Sequence, residues 1–310
     1  MGRAVAAIMV VLHHAENSSH TFGGLRLPFL HHFYLGVDFF FVLSGFIILY
    51  SIPGKRPVQY AWHRFRRVYL PYLPIGIGIA CAYVLLPGMS ASDRTWDWFT
   101  SITLVPFGKT ALSVAWTLQH ELLFYLTFGL AWFTGQRWIV WLWGAACLAN
   151  YHFDIYGVVL HPINIEFIFG MIACIAVRRN WTSPYLLLGS IAALAIWIAL
   201  GADRELSPIV GLGVALALPA LVAWEAKGLH VPRFVLFLGA ASYAIYLVHN
   251  PLIKLTVRLT PSFFVLSAVG IAAGIIYYVL VERQILKLSS SRLPFGASFM
   301  KDRSGTGHDR

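Results

Sequence analysis

Charge is scarce in this chain. Asp, Glu, Lys and Arg together make up 12% of its 310 residues, against about a quarter in a soluble domain. Beside a 58% hydrophobic content, that shortage argues against an ordinary wetted surface. Acidic residues are the scarcer sign, 13 against 23 Lys and Arg, for a net charge of +10. Nucleic acid is one reading of a basic balance, but here the positive charge collects in short loops between apolar runs, as in membrane proteins. Cysteine is nearly absent: Cys81, Cys147 and Cys174 lie in apolar runs with no CxxC or zinc spacing, read as small buried residues, and carry no redox information. Also missing are a Walker A motif, GxGxxG, GxSxG, HExxH and HxxxH. The pairs His13-His14 and His31-His32 lack the i, i+3 or i, i+4 spacing that puts two ligands on one helix face, so no metal is expected. No small-residue cleavage site follows the short apolar stretch Ala4 to Leu12, so no cleavable signal is expected.

What the chain does have is long apolar runs. Phe33 to Ile52 holds one charge, Asp38, while Pro184 to Leu200 and Ser207 to Trp224 hold none; uncharged runs of about 18 residues read as membrane spans. The expectation is an all-α, polytopic membrane helical bundle of about ten transmembrane helices, near 3–19, 32–52, 68–88, 112–134, 137–152, 158–178, 184–201, 207–225, 233–257 and 262–286. The ninth invites a break near Gly239 or Pro251, and Trp96 to Phe107 reads as an interfacial stretch, since Trp favours the headgroup level. Residues 1–288 form the membrane domain and 289–310 a polar, mobile cytoplasmic tail. With alternate connections assigned to opposite sides, 17 of the 23 Lys and Arg fall on one side, the side shared by both termini. The positive-inside rule makes both termini cytoplasmic, in a bacterial inner membrane. The first run is short for a span, so the natural chain is expected to carry a few more residues before Arg3.

Polar residues inside these runs are costly and therefore informative. Arg3 and His14 are eleven residues apart, nearly three helical turns, which puts them on one face roughly 16 Å apart along the axis. His13 points about 100° away. A histidine satisfied by an interhelical hydrogen bond is the structural alternative for either. Arg64 and Arg67, with His63 and Arg66, have i, i+3 spacing and share a helix face. They read as positive-inside anchors or as a fork for phosphate, which guanidinium binds bidentately. His120-Glu121 lies within an apolar segment; the carboxylate could pair with an arginine or hold a histidine in one tautomer. Asp38, near the outer end of its run, reads as facing water, and Asn164 and Glu166 form a further polar pair with no assigned role.

Five stretches together resemble the membrane-bound acyltransferase-3 family, the bacterial O-acyltransferases, and within it the exopolysaccharide production proteins of the ExoZ type. They are Arg3-Ala-Val-Ala-Ala with His14; Gly36-Val-Asp-Phe-Phe-Phe-Val-Leu-Ser-Gly-Phe46; Arg64-Phe-Arg-Arg67 followed by Pro71; Trp116-Thr-Leu-Gln-His-Glu121 with Phe124-Tyr125; and Ser242-Tyr-Ala-Ile-Tyr-Leu-Val-His249 with Val281-Glu-Arg283. Leu70 and Gln284 depart from prolines common in the family. The resemblance implies an acyl-CoA donor, with acetyl-CoA the expected one, and a saccharide hydroxyl as acceptor on an exported polysaccharide or its lipid-linked precursor. It implies His14 as the essential histidine and Arg3, Arg64 and Arg67 as essential basic residues; these arginines are read as binding the donor's phosphates, and Glu121 as orienting or charge-balancing His14 in catalysis. Asp38, His120 and His249 are candidates for substrate contact. His14 would either take a proton or carry the acyl group. Membrane lipid and polysaccharide biosynthesis proteins are the expected partners, and nucleic acid is not. A transporter or flippase of lipid-linked saccharide is the competing class.

Overall fold

Every regular element among the described residues is helical. The structure, a computed structural model, describes residues 1–86, 95–153, 155, 157–226 and 231–291, the side chains of 290 and 291 excepted. Its α-helices are α1 (Gly2–Thr21), α2 (Gly36–Ser51), α3 (Pro57–Leu85), α4 (Trp98–Thr103), α5 (Trp116–Phe133), α6 (Trp138–Phe153), α7 (Ile165–Arg178), α8 (Pro184–Ala199), α9 (Pro208–Ala226), α10 (Arg233–Thr256), α11 (Phe263–Tyr277) and α12 (Arg283–Ser291). Short 3-10 segments lead into α2, α5 and α7, and a π-helical turn, Tyr278–Glu282, joins α11 to α12. Beyond Ser291 the expected tail lies outside the described residues.

Ten of these helices overlie the ten apolar runs. Among the described residues, five stretches are long and apolar enough to cross a membrane: Pro28–Ser51, Pro57–Leu85, Pro208–Ala226, Arg233–Thr256 and Phe263–Ser289. Large apolar side chains stand on the outside, Ile191 and Leu126 each 65% exposed, while Glu16, Asp38, Glu166 and Glu282 are buried. That distribution inverts a soluble protein's and suits lipid.

Two boundaries differ from expectation for local reasons. Helix α3 starts at Pro57, eleven residues early: Pro occupies the first helical turn, where its missing N–H is not needed, and Gln59 accepts the Arg56 N–H at 3.1 Å. The arginines therefore sit within α3. Helix α10 runs through Gly239 and Pro251 unbroken. Inside α3, Pro71 and Pro74 do not end the helix. Hydroxyls from other helices tie its backbone there: Tyr243 donates to the Val68 carbonyl at 2.9 Å and Tyr277 to that of Pro71 at 2.6 Å.

Small residues set the closest approach. A Cβ on Gly45 of α2 would fall 2.0 Å from the Phe167 carbonyl oxygen, and one on Gly170 of α7 1.8 Å from that of Val42, so these helices meet backbone to backbone. Phe167 then stacks on Phe124 of α5 at 4.5 Å and packs on Phe41 of α2 at 4.7 Å. This places α5 beside α2, while α1 lies among α2, α10 and α11.

Candidate active site

Helices α1, α2, α3, α5 and α10 line a cavity that opens to the surface. Arg3, Arg64, Arg67 and Glu121 all line it. The i, i+3 spacing on α3 thus turns both arginines to one side, and Arg67 is exposed where the cavity meets the surface. Arg3 is fixed from α10: its Nε donates to Ser242 Oγ at 3.1 Å, and Ser242 Oγ donates to the Gly239 carbonyl at 2.9 Å. The Arg64 guanidinium lies over the rings of Tyr125 and Tyr60, at 5.4 and 5.9 Å, and its Nε finds no acceptor among the described residues. Next to this cluster, in the turn before α3, burial and the Arg64 charge hold Lys55 below the usual lysine range. Glu121 accepts hydrogen bonds from Ser44 Oγ at 3.0 Å and from the Tyr125 hydroxyl. It and Glu282 oppose the field of Arg67 at Arg3. Three cations against two carboxylates leave the formal charge positive, which suits an anion with several phosphates.

His14 does not line this cavity. It sits half-buried on α1 with its ring 5.2 Å from that of His249, and His249 lies 5.9 Å from Tyr246, which does line it. His249 is fully buried. Its Nδ1 lies 2.9 Å from the Ile245 carbonyl, which only accepts, so Nδ1 carries the proton and Nε2 presents a lone pair. That Nε2 has no partner among the described residues. On the other side of His14 is His13, with rings 5.1 Å apart, and His13 lies 5.8 Å from Tyr34. The structure brings His14 and His249 together, but the hydrogen bonds of Glu121 go to Ser44 and Tyr125 rather than to His14.

The remaining candidates stand elsewhere. His120 is buried, its Nδ1 2.7 Å from Asn164 Oδ1; Asn164 in turn donates to the Val158 carbonyl at 2.8 Å, so this imidazole is part of the α5–α7 packing. Asp38 does not face water as expected. It is 1% exposed, because its carboxyl lies against Glu166 of α7 and Ser207. It lines a second cleft, which opens to the surface.

Sequence reasoning assigned no role to Ser44, Tyr125, Ser242, Tyr243 or Tyr246, all of which line the first cavity. Each lies inside one of the five quoted stretches, so the signal was present but carried no individual meaning. Glu282, in the π-helical turn, was missed in the same way.

The family model described as an acyltransferase domain, that of the acyltransferase-3 family, matches residues 1–281. Among characterised relatives, the exopolysaccharide production protein ExoZ of Rhizobium meliloti (strain 1021) is 28% identical over 306 residues, covering 84% of this chain and 93% of that protein. Acyltransferase MdmB of Streptomyces mycarofaciens is 26% identical over 327 residues, covering 84% of this chain and 82% of that protein. No solved structure matches. With the family's model spanning residues 1–281 of 310, the chain belongs to the acyltransferase-3 family.

Proposed function

We propose that this protein transfers an acyl group, acetyl in the simplest case, from acyl-CoA to a hydroxyl of an exported polysaccharide or its lipid-linked precursor. It does so as a multi-pass protein of the bacterial inner membrane, with ten spans and both termini cytoplasmic. The observation that carries the reading is the convergence of Arg3, Arg64 and Arg67 on one cavity whose wall leads through Tyr246 to His249 and His14.

The arginines hold the donor's phosphates at the cavity mouth by charge-assisted, bidentate hydrogen bonds. The pantetheine arm extends inward past Tyr246, bringing the thioester toward the histidines. Neutral His14 takes the proton of the acceptor hydroxyl as the oxygen attacks the thioester carbonyl carbon. The C–S bond then breaks, and the CoA thiolate takes the proton from the imidazolium. General base catalysis of this kind contributes roughly 10²–10⁴-fold.

The test is mass analysis of polysaccharide from a strain lacking the gene. The reading expects polysaccharide exported in normal amount but without its acyl groups. Loss of export with acylation unchanged overturns it in favour of a transporter.

A further inference from the structure

The second cleft has the opposite character to the first. Asp38, Asp203 and Glu205 line it against the single guanidinium of Arg204, so its charge does not favour a phosphate-bearing ligand. Aromatic rings of Tyr34, Trp116 and Tyr151 form part of its wall. In its floor, the buried carboxyl of Asp38 lies against Ser207 and the fully buried carboxyl of Glu166, within hydrogen-bonding reach of both. Gly211 leaves room for that carboxyl: a Cβ there would meet Glu166 Cγ at 2.8 Å. Two buried carboxyls in such contact share a proton, and the oxygens left over accept hydrogen bonds from a ligand's O–H groups. A divalent cation is a poorer match, because no group of three His, Cys, Asp or Glu suited to a metal occurs among the described residues.

We propose that this cleft is the acceptor site, binding a neutral saccharide with a hydroxyl on Asp38 and its apolar C–H faces against the aromatic wall. Such rings offer an apolar body for the sugar face, and Asn150, His161 and Ser207 on the same lining offer further hydrogen-bond partners to sugar hydroxyls. The location supports this. Val37 lines both the cleft and the arginine-lined cavity, and the consecutive residues Trp116 and Thr117 line one each. The partition between donor and acceptor is therefore a side chain thick at these points. The paired rings of His13 and His14 run beside it, from Tyr34 on the cleft wall to His249 and Tyr246 on the cavity side. The assignment rests on the acyl-transfer reading for its reaction, but not for its binding.

The test uses the full chain in lipid nanodiscs. The probe is oligosaccharide cut from the cell's own exopolysaccharide and stripped of acyl groups by mild base. Exposed Glu205 on the cleft wall is changed to cysteine, with exposed Cys81→Ser to remove background. Oligosaccharide is expected to slow maleimide labelling of the E205C site at least tenfold, and CoA to leave it unchanged. In transfer assays Asp38→Asn is expected to raise the apparent KM for oligosaccharide at least tenfold, with CoA affinity within twofold of wild type. Transfer without oligosaccharide protection of the E205C site overturns the cleft assignment and leaves acyl transfer standing. Protection without any acyl transfer does the reverse. If Asp38→Asn does not fold, the labelling measurement decides alone.

Discussion

Arg64 offers the most quantitative test of donor binding. Its guanidinium lies over Tyr125 and Tyr60, and its buried Nε has no acceptor among the described residues, so it is held in place but has donors to spare. A hydrogen bond to a charged group contributes about 1.5–3 kcal/mol. At 1.4 kcal/mol per tenfold, Arg64→Ala should weaken CoA binding roughly 10- to 150-fold. Arg64→Lys keeps the charge but loses the planar fork, and should fall between wild type and alanine. The lost ring contacts cost about 0.5–1 kcal/mol each at exposed sites, so the alanine variant should remain folded. Calorimetric titration of CoA into purified protein measures the affinity, and circular dichroism melting checks the fold. If Arg64→Ala and Arg67→Ala both bind CoA within twofold of wild type while folded, the arginines do not hold the donor.

Other outcomes follow from single contacts. Ser242→Ala removes the acceptor of the Arg3 Nε bond at 3.1 Å and should lower CoA affinity about tenfold, the upper end of a typical hydrogen-bond contribution, measured by the same titration. Gly170→Ala forces a Cβ against the Val42 carbonyl and should destabilise by about 1–3 kcal/mol or more; Gly78→Ala, with nothing within 4 Å of its new Cβ, should not, and thermal melts of the two compare them directly. His249→Phe keeps a ring beside His14 but removes both nitrogens; transfer should fall while CoA affinity stays, as a split of kcat from donor Kd would record.

Much of the frame was legible because it depends on local composition. Long uncharged runs became helices, and the RxxR spacing put Arg64 and Arg67 on one wall, as helix geometry alone requires. What was not legible depends on partners distant in sequence. Asp38 looked wet by its position near the end of a run, yet Glu166, more than a hundred residues on, and Ser207 cover it. His13 and His14 point apart on α1, and only the fold shows what each meets: Tyr34 for one and His249 for the other. Glu121 was read as pairing with an arginine or holding a histidine, and nothing local in the sequence chose between them. The fold instead gives its hydrogen bonds to Ser44 and Tyr125 and places it on the cavity with the arginines. The early start of α3 was hidden by the basic residues that interrupt its apolar pattern, although Pro57 and Gln59 mark it.

The central claim is that His14 moves the proton in acyl transfer. The direct measurement is a single-turnover assay with purified His14→Ala, acetyl-CoA and deacylated oligosaccharide. CoA affinity should stay within twofold of wild type while acyl transfer slows roughly 10²–10⁴-fold. Transfer at the wild-type rate by folded His14→Ala would contradict it.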